Sequence, residues 1–294
     1  MSARAHAHAH DHDHGHAHGG AHAHGPGASA HDGHPERIAP GDAYWDRQYG
    51  EHAQRYAFAA ARVPAGGRVL DAGCGVGYGT AILADAGASF VVGVDVAAGA
   101  LEVARTRFAR PNATWIEEDC VSLARAGEHG PFDAIVNFEN LEHVSDAERF
   151  LDRVTALLAP DGVFVLSTPN RLAMNRMHGA PAGAPTANPF HSVEFSPLEL
   201  HALLSRRFRQ VTLSYQALEP AERFLYEPIL DLLWSNPFAR FGRALQRRLR
   251  GRRIADRVED LLPPRTYQIV HSDPGTHLAI TTIAECRGPL RVGA

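Results

Sequence analysis

Residues 69–79 read VLDAGCGVGYG, a short apolar run that leads into four alternating glycines. The run predicts a buried strand, and the glycines at 73, 75, 77 and 79 predict a tight turn before a helix. Such a turn lets a ligand approach the backbone and presents amide N–H groups at the start of the helix. The dinucleotide pattern G-x-G-x-x-G is not met, because its third glycine falls on Tyr78 or Thr80. A nicotinamide cofactor is therefore disfavoured.

Helical and strand patterns alternate on both sides of this turn. Upstream, YWDRQYGEHAQRYAFAAARV has apolar residues at helical spacing; downstream, the apolar runs FVVGVDV, ATWIEEDC, FDAIVNF and GVFVLSTPN alternate with helical segments. This alternation predicts βαβ units and a parallel sheet. The chain ends on two strand patterns, QVTLSYQ and LAITTIAEC, without a βαβ helix between them, which predicts an antiparallel edge.

Composition divides the chain into four parts. Residues 1–40 alternate histidine with alanine, aspartate and glycine, offer nothing to bury, and are expected to be disordered. This tail either binds transition metals loosely through imidazole or has no role in the chemistry. Residues 41–218 form the expected core, 219–275 a helical insert that serves as a substrate lid or an oligomer interface, and 276–294 the last core strand and a C-terminal tail.

Charge and cysteine content narrow the class of protein. The net charge is -4 and the basic residues are all arginine, so the whole protein does not attract nucleic acid. The three cysteines, Cys74, Cys120 and Cys286, match no zinc spacing and fit a reduced, cytoplasmic compartment. No apolar run reaches the roughly 18 residues of a membrane span, and the N-terminus lacks the apolar core of a signal peptide.

Polar residues stand at the ends of the second and third predicted strands. Asp95 ends VVGVD about twenty residues after the glycine turn, where a carboxylate can accept both ribose hydroxyls of an adenosine. Asp119 and the amide of Cys120 end the third strand, where they could meet an adenine edge. Each could be a solvated residue by itself, but together they outline a cleft shaped for adenosine.

The stretch FENLEHV, residues 138–144, places two carboxylates and an imidazole directly after the fourth strand. On a helix, Glu139, Glu142 and His143 would share one face, because they stand at positions i, i+3 and i+4. They either hold a substrate or a metal, or form an ordinary charged first turn of a helix.

In order along the chain, VLDAGCGVG, GVDV, EEDC, FDAIVNFENLEHV and LLAPDGVFVLSTPN resemble the motifs of class I S-adenosylmethionine-dependent methyltransferases. The resemblance covers roughly residues 44–215. It implies an α/β fold with a Rossmann-like, seven-stranded, mostly parallel sheet, an antiparallel last strand and a helical insert before that strand. It also implies S-adenosylmethionine as the methyl donor, with S-adenosylhomocysteine as product. The cofactor-binding residues it implies are Asp71, Gly73, Cys74, Gly75, Gly77, Asp95, Val96, Asp119, Cys120 and Asn137.

Within that superfamily, ENLEH resembles the E-x-x-E-H motif of ubiquinone-biosynthesis O-methyltransferases and small-RNA 3'-terminal 2'-O-methyltransferases. In both groups the motif holds a divalent metal, and in the RNA group a later histidine completes the site. His191, in NPFHSVEFSPLEL, is such a histidine. The resemblance therefore implies the ligands Glu139, Glu142, His143 and His191 for Mg²⁺, Mn²⁺, Fe²⁺ or a similar ion. Without a metal, His143 or His191 could act as a general base.

The segments STPN and NPFHSVEFSPLEL also resemble bacterial enzymes that methylate sugars of surface polysaccharides and glycosylated natural products. A sugar presents adjacent hydroxyls that a metal can chelate, and a quinone-pathway catechol does so equally well. The expected acceptor is therefore a small molecule with a vicinal diol, a sugar first. RNA is disfavoured by the net charge.

The insert carries an arginine-rich run, ARFGRALQRRLRGRRIADR, residues 239–257. It either docks to phosphate or an anionic membrane surface or is the solvated face of an amphipathic helix. The preceding aromatic segment could cover the site, bury a homodimer interface or lie on a membrane. Two other classes stay open: a donor-binding protein without turnover, and a metal-handling protein that acts through its His-rich tail.

Overall fold

The computed structural model describes residues 37–41, 45–178, 180–181, 183–186, 188, 190–219, 267–272 and 279–290. The His-rich tail through residue 36 and residues 220–266 of the expected insert, including the arginine-rich run, lie outside the described residues. The expectations of a disordered tail and a helical insert therefore stay predictions.

Strands and helices alternate along the described part of the chain, as the sequence predicts. The strands are β1 Arg68–Ala72, β2 Phe90–Asp95, β3 Ala113–Glu117, β4 Phe132–Phe138, β5 Leu158–Pro169, β6 Phe208–Leu218, β7 Tyr267–Val270 and β8 Ala279–Pro289. The helices are α1 Trp45–Ala60, α2 Tyr78–Asp85, α3 Ala98–Arg107, α4 Ala124–Gly127, α5 Ala147–Leu157, α6 Arg171–His178 and α7 Pro197–Ser205. A 3₁₀ turn, Leu141–His143, follows β4.

The strands form one sheet in the order β3-β2-β1-β4-β5-β8-β6-β7. Neighbours among β1 to β5 run parallel, whereas β8 lies antiparallel between β5 and β6. This arrangement confirms the Rossmann-like fold class and the antiparallel last strand. The strand order reverses between β1 and β4, and in such sheets ligands bind at the carboxyl ends of the strands beside this switch point.

An eighth strand corrects the expectation of seven. β7 pairs with the last four residues of β6, from Tyr215↔Val270 to Leu218↔Tyr267. It lies within residues 219–275, which sequence analysis assigned to a helical insert, so that assignment is wrong at this end. The reason is that β6 extends to Leu218 and exposes an edge, against which a short β-branched and aromatic segment can pair.

The boundary of the N-terminal tail also differs from the expected one. Ile38 and Ala39 are buried against the core, and the guanidinium of Arg107 donates to the carbonyl of Pro40 at 3.1 Å. Residues 37–40, expected in the disordered tail, therefore form a strap on the surface of the core.

Both faces of the sheet are covered, which explains why its central strands are nearly uniform in apolar character. One face packs against α5 and α7 through residues such as Phe150 and Leu200, and the other against α1 and α2 through residues such as Tyr56 and Leu83. These layers hold the carboxyl ends of β1, β2 and β4 together at one edge.

Two glycines should respond in opposite ways to alanine. A Cβ on Gly79 in α2 would lie 1.8 Å from Cζ of Tyr56, so Gly79→Ala should lower the free energy of unfolding by about 1–3 kcal/mol through overpacking. Gly50 in α1 has no heavy atom within 4 Å of its Cβ position. Gly50→Ala should therefore raise stability by roughly 0.5–1 kcal/mol through its helix preference. Chemical denaturation of the two variants checks this, and shifts of the same sign would contradict it.

Candidate functional site

The glycine turn after β1 lies so close to the side chain of Asn140 that no other residue type fits at its first glycine. Gly73 has φ +82°, a conformation that favours glycine, and a Cβ there would lie 2.5 Å from Cγ of Asn140. Its N–H and that of Cys74 both donate to the carbonyl of Val94 at 2.8 Å. The turn is therefore fixed to the end of β2, beside the switch point.

Asp95, at the end of β2, is fixed by three donors. Its Oδ2 accepts from the backbone N–H of Gly75 at 2.9 Å. Its Oδ1 accepts from the N–H of Ala97 at 2.9 Å and from the guanidinium of Arg37 at 3.2 Å. The carboxylate is thus oriented beside the glycine turn, where a ribose diol binds in folds of this kind.

A cleft of about 390 Å³ opens at these strand ends, within the size range of small-molecule sites. Nine of the sequence-predicted site residues line it: Gly73, Cys74, Gly75, Asp95, Val96, Asp119, Cys120, Glu139 and His143. Residues expected to bind the cofactor and residues of the FENLEHV stretch therefore line the same cleft.

The end of the cleft where the sequence predicts adenine contacts has an apolar and a polar side. Val96 is 63% exposed although it is apolar, which suits packing against a flat ring. The carboxylate of Asp119 accepts the N–H of Val121 at 2.8 Å, which fixes its orientation. Burial raises the pKa of Cys120 to about 12, so this thiol stays neutral and offers no thiolate.

Three residues expected to bind the cofactor do not line the cleft: Asp71, Gly77 and Asn137. A Cβ on Gly77 would lie 2.5 Å from Cβ of Ala104, so this glycine allows α2 and α3 to pack closely. The buried amide of Asn137 donates to the carbonyl of Ala72 at 2.7 Å and joins β4 to β1. Gly77 and Asn137 therefore stabilise the elements around the cleft without lining it.

Asp71 is buried beneath the glycine turn. Its carboxyl accepts from the hydroxyls of Thr80 at 2.7 Å and Tyr56 at 3.1 Å, yet burial raises its pKa to about 7. The folded protein therefore retains a proton that the unfolded chain loses near pH 4. The contribution of Asp71 to the free energy of unfolding therefore falls as the pH rises from about 4 to 7. Above about pH 7 the carboxyl is ionised in the folded protein as well, and its contribution no longer changes with pH.

Asp71→Asn should remove that titration. The free energy of unfolding of the variant, minus that of the wild type, is expected to increase between pH 5 and about pH 7 and then to level off, because only the wild type has to ionise a buried carboxyl. Denaturant titrations at four pH values measure this difference. A difference that does not change with pH would contradict the buried, protonated state of Asp71.

Another part of the cleft lining consists of residues that the sequence did not indicate. These are His52 and Tyr56 of α1 and Tyr78 of α2, and the Tyr78 hydroxyl lies 2.7 Å from Nδ1 of His52. Burial and the nearby Arg55 guanidinium lower the pKa of His52, so this imidazole favours the neutral form. These residues had no distinguishing signal in the sequence, because α1 carries many other polar and charged side chains. Arg37 gave no signal either, since it was assigned to the tail.

FENLEHV does not form the first turn of an α-helix, and Glu139, Glu142 and His143 do not share a helical face. Glu139 has φ +47°, and the 3₁₀ turn begins only at Leu141. The backbone N–H of Glu139 donates to the carbonyl of Ser167 at 3.0 Å, and its carboxylate accepts from the Ser167 hydroxyl at 2.7 Å. Pairing with β5 therefore overrides the helical spacing.

A different set of side chains converges instead. One ligand atom from each of Glu142, His143 and His191 lies within 4.8 Å of the other two. The imidazole rings of His143 and His191 have centroids 4.9 Å apart. Glu139 does not belong to this group, although it also lines the cleft. The predicted four-ligand set is therefore brought together as three residues, which we call the Glu-His-His cluster.

Hydrogen bonds prepare both histidines to bind a cation through Nε2. Nδ1 of His143 lies 3.1 Å from the carbonyl of Phe190; since that carbonyl only accepts, Nδ1 carries the hydrogen and Nε2 the lone pair. Nδ1 of His191 lies 2.7 Å from Oε1 of Glu194, which again leaves the lone pair on Nε2. The donor set of one carboxylate and two imidazoles suits several first-row divalent ions.

Glu142 is buried, and burial disfavours the negative charge of its carboxylate. Its Oε2 accepts from the hydroxyl of Thr168 at 2.8 Å. Burial, with the charge of Glu139 as a second cause, raises the pKa of its carboxyl well above the ordinary value. A cation bound beside it would stabilise the carboxylate form, so the environment of Glu142 also fits a metal ligand.

Among the described residues, no helix is both long and apolar enough to span a membrane.

Comparison with known proteins places the chain among methyltransferases. Residues 44–207, more than half of the chain, match the family model described as a methyltransferase domain. Over 172 residues, it is 36% identical to a protein of Mycolicibacterium smegmatis named probable S-adenosylmethionine-dependent methyltransferase. That match covers 58% of this chain and 62% of the relative.

Two further comparisons concern a named enzyme and a solved structure. The chain is 39% identical over 116 residues to the ubiquinone biosynthesis O-methyltransferase of Neisseria meningitidis, a match that covers 38% of this chain and 48% of that protein. Both matches thus span less than two thirds of the relatives' own length. A Thermotoga maritima methyltransferase structure, described as a possible histamine N-methyltransferase, has a TM-score of 0.51 at 13% identity, covering 83% of this chain and 92% of its own. At that identity the likeness concerns the fold alone.

Proposed function

Because the chain belongs to the class I S-adenosylmethionine-dependent methyltransferases, we propose that it transfers the methyl group of S-adenosylmethionine to a hydroxyl of a small molecule. The proposed acceptor carries adjacent hydroxyls, with a sugar of a glycan or glycosylated natural product as the first candidate. The observation that carries this proposal is the Glu-His-His cluster, whose His143 lines the same cleft as Asp95 and the glycine turn.

Methyl transfer is an in-line displacement, so most of its acceleration comes from alignment. Holding two reactants in line is worth roughly 7–11 kcal/mol. Asp95 would orient the ribose of the donor, and the glycine turn would let the donor lie against the backbone. The donor's sulfonium would then lie near the end of β4, beside Glu139 and His143.

The acceptor hydroxyl has to lose its proton as the methyl group arrives. His143 lines the cleft and has its lone pair on Nε2, so it can take that proton as a general base, a role worth about 10²–10⁴ in rate. His191 does not line the cleft and would act through His143 and Glu142.

A divalent metal is the alternative means of activating the hydroxyl. Glu142, His143 and His191 would hold it, and when bound it would chelate two neighbouring oxygens and lower the pKa of one. The metal-assisted mode is the one that favours an acceptor with adjacent hydroxyls, because two neighbouring oxygens can be chelated together.

A catechol of a quinone pathway is the second candidate acceptor. The 39% identity to a ubiquinone biosynthesis O-methyltransferase favours it, and a catechol also offers two adjacent oxygens. A 3'-terminal RNA diol is a third candidate, which the net charge of -4 disfavours.

The test starts with the donor and then surveys acceptors. Calorimetry should detect binding of S-adenosylhomocysteine, and isotope-labelled methyl transfer should be measured on nucleotide-sugars and glycosides with vicinal diols, on catechols, and on mono-hydroxyl analogues as matched controls. We expect transfer to a diol class and little to its mono-hydroxyl analogue. No donor binding, or transfer only to nitrogen, would refute the proposal.

The His-rich tail distinguishes the enzyme from a metal-handling protein. Deleting residues 1–36 leaves the strap 37–40 in place and should leave turnover unchanged if the chain is an enzyme. A protein whose purpose is metal handling would lose its function with the tail.

A further inference from the structure

Glu194 is a buried carboxylate that neither the donor cleft nor a helix cap explains. It is 4% exposed, and its Oε1 lies 2.7 Å from Nδ1 of His191. Its Oε2 is buried and has no hydrogen-bond partner among the described residues. The start of α7 is capped by a different acid, Glu199, which forms a capping box with Ser196.

The loop that carries Glu194 is hydrogen-bonded to the 3₁₀ turn and to the first residue of α6. The backbone N–H of Ser192 donates to the carbonyl of Glu142 at 2.8 Å, and the carbonyl of Phe195 accepts from Arg171 at 3.0 Å. These backbone bonds flank Glu194 on both sides. Its carboxylate is thus aimed at His191 by a fixed frame.

A second contact agrees with this assignment of the hydrogen on the His191 ring. The amide oxygen of Asn188 accepts the backbone N–H of Phe190 at 3.0 Å, so the NH₂ group of Asn188 is the end that lies 3.0 Å from Nε2 of His191. An NH₂ group can only donate, so Nε2 accepts and Nδ1 carries the hydrogen that points to Glu194. A metal at Nε2 would take the place of the Asn188 amide.

We propose that Glu194 is a positioning residue of the Glu-His-His cluster: it holds His191 as the Nδ1–H tautomer and makes its Nε2 a stronger donor to a divalent cation. This inference rests on the metal-assisted form of the proposed function. A carboxylate that accepts the distal N–H of a ligand histidine fixes the ring and raises its basicity, and loss of such a partner typically lowers metal affinity 10- to 100-fold.

A purely structural role is the competing explanation, in which Glu194 and His191 only fasten the loop. The two roles differ in what Glu194→Gln should change. Glutamine keeps the size and can still accept from Nδ1–H, but it removes the negative charge and offers an NH₂ group that can favour the other tautomer. Stability alone cannot separate the roles, whereas metal affinity and the tautomer of His191 can.

The experiment uses the full chain with Mn²⁺, the weakest first-row binder in the divalent series, so that the histidine-rich tail contributes least. Calorimetry compares wild type, Glu194→Gln, Glu194→Asp, His143→Ala and Glu199→Gln. Side-chain ¹⁵N spectra of the metal-free proteins give the tautomer of His191. Glu199→Gln makes the same chemical change in the same segment and should lower stability through the helix cap without altering Mn²⁺ affinity.

We expect one Mn²⁺ per wild-type chain, loss of this binding in His143→Ala, and a 10- to 100-fold weaker affinity in Glu194→Gln with a mixed His191 tautomer. Glu194→Asp should recover part of the affinity. Wild-type binding with an unchanged Glu194→Gln affinity overturns the role of Glu194 and leaves the proposed function standing. Absence of Mn²⁺ binding in the wild type overturns this inference together with metal assistance, while donor binding and turnover still test methyl transfer separately.

Discussion

Asp95→Ala is expected to weaken the binding of S-adenosylhomocysteine by at least about 100-fold. The two ribose hydroxyls would each donate to an ionised carboxylate, and hydrogen bonds to charged groups contribute about 1.5–3 kcal/mol each. Two such bonds amount to about 3–6 kcal/mol, or 10²- to 10⁴-fold in the dissociation constant. The carboxylate also holds the N–H of Gly75 and the guanidinium of Arg37 in place, so the shape of the cleft should suffer as well.

Asp85→Asn is the matched control for this experiment. Asp85 lies in α2 outside the cleft, and its exposed carboxylate pairs with Arg110 at 2.7 Å. Calorimetry should give wild-type affinity for this variant. Thermal unfolding of both variants shows whether lost affinity reflects a lost fold. Wild-type donor affinity in Asp95→Ala would show that the ribose does not bind at the end of β2.

The parts of the fold that the sequence predicts are those encoded locally. The run before Gly73 pairs on both sides with parallel strands and needs only apolar, β-branched residues, a pattern visible within one segment. β7 could not be found in this way, because four residues form a strand only where the edge of β6 is available to pair with them. The strap that contains Ile38 could not be predicted for the same reason, because the residues it contacts lie on α3 and in the core.

The same distinction between local signals and contacts distant in sequence applies to the candidate site. Asp95 follows from its place at the end of a strand, and nine predicted residues do line the cleft. The helical spacing of Glu139, Glu142 and His143 misled because bonds to Ser167 on a neighbouring strand set the backbone of Glu139. Glu194 had no sequence signal, since a single loop carboxylate acquires its role only when the fold brings it to His191.

Glu142→Gln and His191→Ala are expected to lower kcat by about 10²–10⁴ while the affinity for S-adenosylhomocysteine stays within about threefold of the wild type. Neither residue lines the cleft where the donor would bind, whereas both belong to the Glu-His-His cluster. The size of the loss is that of a missing activation of the acceptor hydroxyl. His201→Ala is the matched control, because His201 is an exposed histidine of α7 that lies outside the cluster.

Turnover, donor affinity and Mn²⁺ content measured together separate the two ways of activating the hydroxyl. If the wild type holds one Mn²⁺ and both variants lose the ion and the activity, the cluster works by chelation and the acceptor is a diol or a catechol. If the wild type is active without any metal and both variants are impaired, His143 acts as the base, and Glu142 and His191 keep its ring in position. Normal turnover in both variants would contradict either mode, because chelation needs Glu142 and His191 as ligands and the base mode needs them to keep His143 in position. Activation would then have to come from other residues that line the cleft, such as Glu139 or the hydrogen-bonded pair His52 and Tyr78.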